Sequence, residues 1–113
     1  MEPRLATSVL VSALVRRAEA EGGFAAVLAK GDSTAGAVLV VLTEKGANPV
    51  VYERMLQPSG DYEWASAGPQ VCGKAEEVPA LIARRRRSDP DLWVLELDIP
   101  STERFAAGMN GFG

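Results

Sequence analysis

"AVLVVLTEKGANPVVYERML", residues 37–56, decides the fold. Side chains alternate across a β-sheet, so a strand that is apolar at both parities is covered on both faces. A strand opening at Ala35 or Gly36 and reaching about Thr43 meets that condition, with Val38, Val40 and Leu42 on one side and Leu39 and Val41 on the other. It belongs near the centre of a sheet. Lys45-Gly46-Ala47-Asn48 turns the chain, and Val50 to Leu56 forms the next strand, mixed in character because it carries Glu53 and Arg54. Short connections containing Gly and Asn imply antiparallel hairpins.

Working outward, Phe24 to Lys30 reads as a first strand, nearly apolar on both sides, followed by the turn Gly31-Asp32-Ser33-Thr34. Pro58-Ser59-Gly60-Asp61 turns the chain into a short fourth strand, Tyr62 to Ser66. Leu92 to Ile99 is the last strand, with Trp93, Leu95 and Leu97 on one face and Val94, Glu96 and Asp98 on the other. A first helix is capped by Thr7 or Ser8 and ends at Gly22-Gly23. Leu10, Val11, Leu14 and Ala18 share its wide apolar arc, and Ser8, Ser12, Arg16 and Glu19 make a narrow polar wedge. A second helix begins near Glu76, accepts Pro79 in its first turn, and is stopped by Asp89-Pro90. Its acids stand at the positive end of the dipole and its arginines at the negative end.

These elements predict one α+β domain over residues 1–105, with 106–113 as a flexible tail. The expected sheet is antiparallel, of about five strands in the order 5-1-2-3-4, with topology α-β-β-β-β-α-β and both helices on one face. That arrangement leaves the second face to be covered, and a second copy of the chain is the expected cover.

Composition narrows the function. The chain has 113 residues, 12 basic and 15 acidic side chains, and a net charge of −3, so no global field draws it to nucleic acid or anionic lipid. Histidine is absent, which excludes Ser-His-Asp and Cys-His catalysis and the common zinc sites. The single cysteine, Cys72, has no internal partner and suits a reducing compartment. The apolar run Leu5 to Val15 is too short to span a bilayer and lacks a small-residue cleavage site, so the expected location is the cytoplasm.

The run Arg84 to Arg87 divides on the helical wheel. Val78, Leu81 and Ile82 define the inward stripe and Arg85 continues it, whereas Arg84 and Arg87 point away and Arg86 sits at the margin. A guanidinium on an apolar face needs a partner. Asp89 and Asp91 are within loop reach, and Glu96 is a longer-range candidate. The alternative is that Arg85 receives an anionic ligand or a partner's carboxylate. Lys30 to Gly36, "KGDSTAG", looks like a phosphate loop but leads into a strand, so a hairpin turn capped by Asp32 is the expectation. Tyr52, Tyr62 and Trp64 are expected in core or half-core packing.

The segments "PRLATSVLVSALVRRAEAEGGFAAVLAKGDSTAGAVLV" and "IARRRRSDPDLWVLELD" resemble a small proteobacterial family known as a domain of unknown function. The resemblance spans residues 3 to about 105, and Asp-Pro-Asp-Leu-Trp is its most specific part. It implies a cytoplasmic bacterial domain, carries over no activity or cofactor, and places weight on Arg4, Arg16, Arg17, Asp32, Gly36, Arg85, Asp89, Asp91 and Trp93.

The leading functional expectation is therefore an interaction module without catalysis, cofactor or metal, self-associating as a dimer or bound to a protein partner. Membrane and nucleic acid are not expected partners. The rival is a ligand-binding protein or enzyme that recognises an anionic small molecule through Arg16, Arg17 or Arg85.

Overall fold

A computed structural model describes residues 6–34, 36–56, 58–60, 62–67 and 75–109 of the chain. The elements are α1 (Thr7–Ala20), β1 (Phe24–Ala29), β2 (Val38–Glu44), β3 (Ala47–Leu56), β4 (Tyr62–Ser66), α2 (Val78–Ser88), β5 (Trp93–Asp98) and α3 (Thr102–Met109), with a 3-10 turn at Ala75–Glu77 leading into α2. The α+β class agrees with the sequence. The sheet, however, is mixed: its order is β1-β5-β2-β3-β4, with β5 inserted between β1 and β2. β5 runs parallel to β2, from Val38 beside Trp93 to Thr43 beside Asp98, and antiparallel to β1. The other pairs, β2–β3 and β3–β4, are antiparallel hairpin neighbours.

The expected order put β1 in the centre and β5 at an edge, and the reverse holds. The physical reason is apolar area. Half of β1 is alanine, whose exposure forfeits little, whereas β5 brings Trp93, Val94, Leu95 and Leu97, all buried. β2 is central as expected, with Val38 to Thr43 buried on both faces. A parallel neighbour requires a crossover, and β3, β4 and α2 together supply it.

Both faces of the sheet are covered from within the chain. α1 and α3 pack on the face of Val38, Val40, Leu42, Leu95 and Leu97. α2 packs on the other, against Leu39, Val41, Val51 and Val94. The expectation of two helices on a single face is therefore wrong, and the bare face that called for a second copy does not exist.

The third helix extends into the expected tail, taking in residues 106–109. Ser101 Oγ accepts from the Arg104 amide at 3.2 Å, and the Glu44 carboxylate accepts from the Thr102 amide and hydroxyl at 2.8 and 3.1 Å. The Thr102 and Arg104 amides are thereby satisfied, and Phe105 and Met109, four residues apart, drive one face into the core. Residues 110–113 lie outside the described residues, as do Arg4 and Cys72.

α1 begins as expected but is capped differently. Ala6 is the capping position, and the Thr7 and Ser8 amides donate to the carbonyls of Thr34 and Ser33 at 3.2 and 2.9 Å. Thr7 Oγ1 turns away from its own helix and donates to the carbonyls of Thr34 and Gly36, each at 3.2 Å. The β1–β2 loop thus caps α1. Lys45 and Gly46 both have positive φ, 54° and 75°, the geometry of a two-residue type I′ hairpin. The chain then regains its ladder through a bulge at Asn48-Pro49, earlier than the expected strand start at Val50.

Candidate functional site

Arg85 lies on the inward stripe of α2 beside buried Val78 and Leu81. Its partner is Glu53 of β3. Nη1 donates to one carboxylate oxygen and Nη2 to the other at 2.9 Å, a two-pronged fork. Glu53 stands opposite Leu39 in the ladder, and so projects to the α2 face. The side chains are 29% and 19% exposed, so water screens the pair incompletely. The Glu53 hydrogen bond holds the guanidinium above its usual pKa range against the opposing effect of burial, with Asp89 adding attraction through its charge. Asp89, Asp91 and Glu96 are not its hydrogen-bond partners, which corrects the expected pairing. Arg84, Arg86 and Arg87 are exposed.

A double-mutant cycle checks the fork. Arg85→Met or Glu53→Leu alone is expected to cost about 2 kcal/mol in urea unfolding, because each strands a charge against an apolar layer. The pair Arg85→Met with Glu53→Leu should recover more than half of that loss. Additive single losses would show that the two groups act separately.

The two most specific sequence motifs meet each other. The Trp93 indole N–H donates to the Asp32 carbonyl at 2.7 Å, and the Asp32 amide donates to the Asp91 carbonyl at 3.1 Å. Each aspartate also organises its own turn: Asp32 Oδ2 accepts from the Thr34 amide, and Asp89 Oδ1 from the Asp91 amide, both at 3.1 Å. The Asp91 carbonyl presses so closely on Gly31 and Gly36 that a methyl group at either position would overlap it. Asp32, Gly36, Asp89, Asp91 and Trp93 therefore build a junction between the β1–β2 loop and the α2–β5 loop. The Asp32 and Asp89 carboxylates each accept from a backbone amide, and no cluster of metal-ligating residues occurs among the described residues.

Arg17 clamps α1 to α3. Its Nε donates to Glu21 at 3.1 Å, its Nη2 to the Arg104 carbonyl at 3.4 Å, and its carbon centre lies 4.3 Å from the middle of the Phe105 ring. Arg54, unexpectedly buried on β3, stacks on Tyr62 at 4.0 Å. Tyr52 and Trp64 pack against the α1-side core. Arg16 is exposed and shares a groove with Lys30. Arg17 and Arg85 sit on opposite faces of the sheet, so the three arginines do not converge on one pocket.

What remains open is the β1 edge. All the exposed large apolar side chains among the described residues stand on or beside this strand: Val9 at 46%, Phe24 at 77%, Val27 at 49% and Leu28 at 45%. β1 has β5 on one side and, among the described residues, no strand on the other. A groove of about 850 Å³ flanks it on the α1 side, between Val9, Ser12, Arg16, Val27 and Lys30. A second, of about 400 Å³, flanks it on the α2 side, between Leu28, Val41, Pro79, Ile82, Arg86 and Glu96. Sequence reasoning missed this surface because it placed β1 in the centre. The signal available was the alanine content of "FAAVLA", too little area for a central strand.

Architecture and surface together define a small three-layer α+β domain, helices on both faces of a mixed sheet, with an apolar open edge. Residues 5–107 match the family model described as "Protein of unknown function (DUF1491)", and the chain belongs to that family. It is similar to the crystal structure of a DUF1491 family protein from Caulobacter crescentus, at 33% identity over 89% of this chain and 94% of that one, with a TM-score of 0.79. An NMR structure of a DUF1491 family protein from the same organism gives 32% identity, coverage of 92% and 94%, and a TM-score of 0.81. The solution structure of protein Atu0922 from A. tumefaciens gives 34% identity, coverage of 91% and 92%, and a TM-score of 0.75. No curated protein matches the chain. No helix among the described residues is long and apolar enough to cross a membrane.

Proposed function

We propose that this domain is a cytoplasmic, non-enzymatic interaction module that works through the β1 edge, its first partner being a second copy of itself. The observation that carries the reading is the gathering of Val9, Phe24, Val27 and Leu28 at an edge strand whose outer side pairs with no strand among the described residues. Edge strands are ordinarily blunted by charge, proline or a bulge; Phe24 to Ala29 contains no charge and no proline, and its irregularity leaves Phe24 to Val27 regular. The opposite edge strand, β4, carries an exposed Glu63. The non-enzymatic part of the reading rests on the sequence, which has no histidine to serve a nucleophile.

Light scattering across the micromolar range is expected to give a dimer for the native chain. Val27→Lys should weaken association at least tenfold, since it sets a charge in the seam, while the melting temperature of the monomer stays nearly unchanged. A native chain that remains monomeric throughout ends the self-association reading.

The anionic-ligand reading retains one argument. Arg17 and Arg85 are engaged internally, but Arg16 and Lys30 border the α1-side groove without a carboxylate partner among the described residues. Thermal stabilisation by phosphate, nucleotides or small carboxylates, lost in Arg16→Gln, is what that reading requires.

A further inference from the structure

The geometry of the same edge allows the self-association to be specified, an inference that rests on the reading above. We infer that two copies pair β1 with β1, antiparallel about a two-fold axis at Ala26, so that one sheet runs through both.

The backbone supplies the first argument. The N–H and C=O groups on the outer side of β1 have no strand to bond among the described residues, and a second copy presents the same set. The ladder to β5 is regular from Phe24 to Val27, and the register shifts before Ala29, making Leu28 the bulged residue. A bulge shortens a pairing edge, so the axis must lie within the regular part.

Side-chain parity supplies the second. Residues directly opposite in an antiparallel pair share a face, so the axis passes through a residue. Centring on Val27 would oppose Phe24 to Lys30, and centring on Ala25 would leave Val27 opposite Gly23. Centring on Ala26 sets Phe24 against Leu28 of the second copy, and Ala25 against Val27. This register covers the exposed apolar groups of both faces together, with a small side chain at the crowded axis.

Charge supplies the third. Beyond the paired stretch, the same register brings Lys30 towards the α1–β1 turn of the second copy, where Glu19 and Glu21 flank the turn. Glu21 is already bonded to Arg17, which leaves Glu19 to answer Lys30. The α1 helices then flank the seam, and each α1-side groove faces the other copy.

Directly opposed residues in such a pair lie about 5 Å apart at Cα, within disulfide reach. Phe24 would stand about 14 Å from its own counterpart, four residues along the strand, and beyond reach. Full-length protein with Cys72→Ser as background is used for oxidative cross-linking. Ala26→Cys is expected to cross-link with itself, and a mixture of Phe24→Cys and Leu28→Cys with each other. Phe24→Cys alone should not cross-link. In sedimentation, Lys30→Glu should raise Kd about threefold to fivefold, and Lys30→Glu with Glu19→Lys should restore it. A dimer by light scattering in which Phe24→Cys links as fast as Ala26→Cys, or Ala26→Cys not at all, overturns this pairing and leaves self-association standing. A monomer at every concentration overturns both.

Discussion

Phe105→Ala is expected to destabilise the domain by about 3–5 kcal/mol, the usual cost of emptying an aromatic site in a packed core. Phe105 is wholly buried with Leu10, Leu14 and Met109, and its ring carries the Arg17 guanidinium. The substitution therefore removes the packing of α3 on α1 and the surface on which Arg17 lies. Differential scanning calorimetry should register a fall of about 10–20 °C in Tm for a chain of this size. Were residues after 101 an appendage, Tm would not move. Arg17→Met makes a useful companion: it keeps the aliphatic stem while removing the charge, and its smaller loss would separate the ring's packing from its contact with the cation.

Gly36→Ala is expected to cost about 3 kcal/mol, at the severe end of overpacking, because the added methyl would occupy the position of the Asp91 carbonyl. Backbone cannot step aside as a flexible side chain does. The Asp32 amide and the Trp93 indole bond across the same junction, so displacement of Asp91 would loosen both loops at once. Gly46→Ala is the control. It has open space around it and a φ of +75°, so its cost is the turn strain alone, about 1 kcal/mol. Urea unfolding of the two variants side by side separates crowding from strain, and equal losses would refute the close approach.

The parts of this fold legible in the sequence are those set by local pattern. The apolar parity of Val38 to Leu42 identified a strand covered on both sides, and the wheel placed Arg85 on the buried stripe of α2. What escaped was set by pairing at a distance. Glu53 became the partner of Arg85 because α2 lies on the face of Leu39 and Val41, and that choice of face followed from where β5 entered the sheet. No periodicity within either segment encodes it. The third helix is a different kind of miss, since Pro100-Ser101-Thr102-Glu103 is a helix start and Phe105 and Met109 share one face of the helix. The stretch of small residues from Ala106 to Gly113 masks those signals.

The motif residues illustrate the same limit from the functional side. Asp32, Asp89, Asp91 and Trp93 carry the chemistry of a binding site on paper, and they are joined through main-chain atoms. Arg16, Arg17 and Arg85, named beside them, lie elsewhere on the fold. The sequence did not separate holding from binding, because carboxylates and an indole serve either purpose.

The insertion of β5 bears on how the chain is made. A nascent polypeptide emerging from the ribosome up to residue 92 already contains β1, but the strand that must lie between it and β2 has yet to be synthesised. The amino-terminal half therefore waits, with its apolar strand untethered, for the closing segment to arrive.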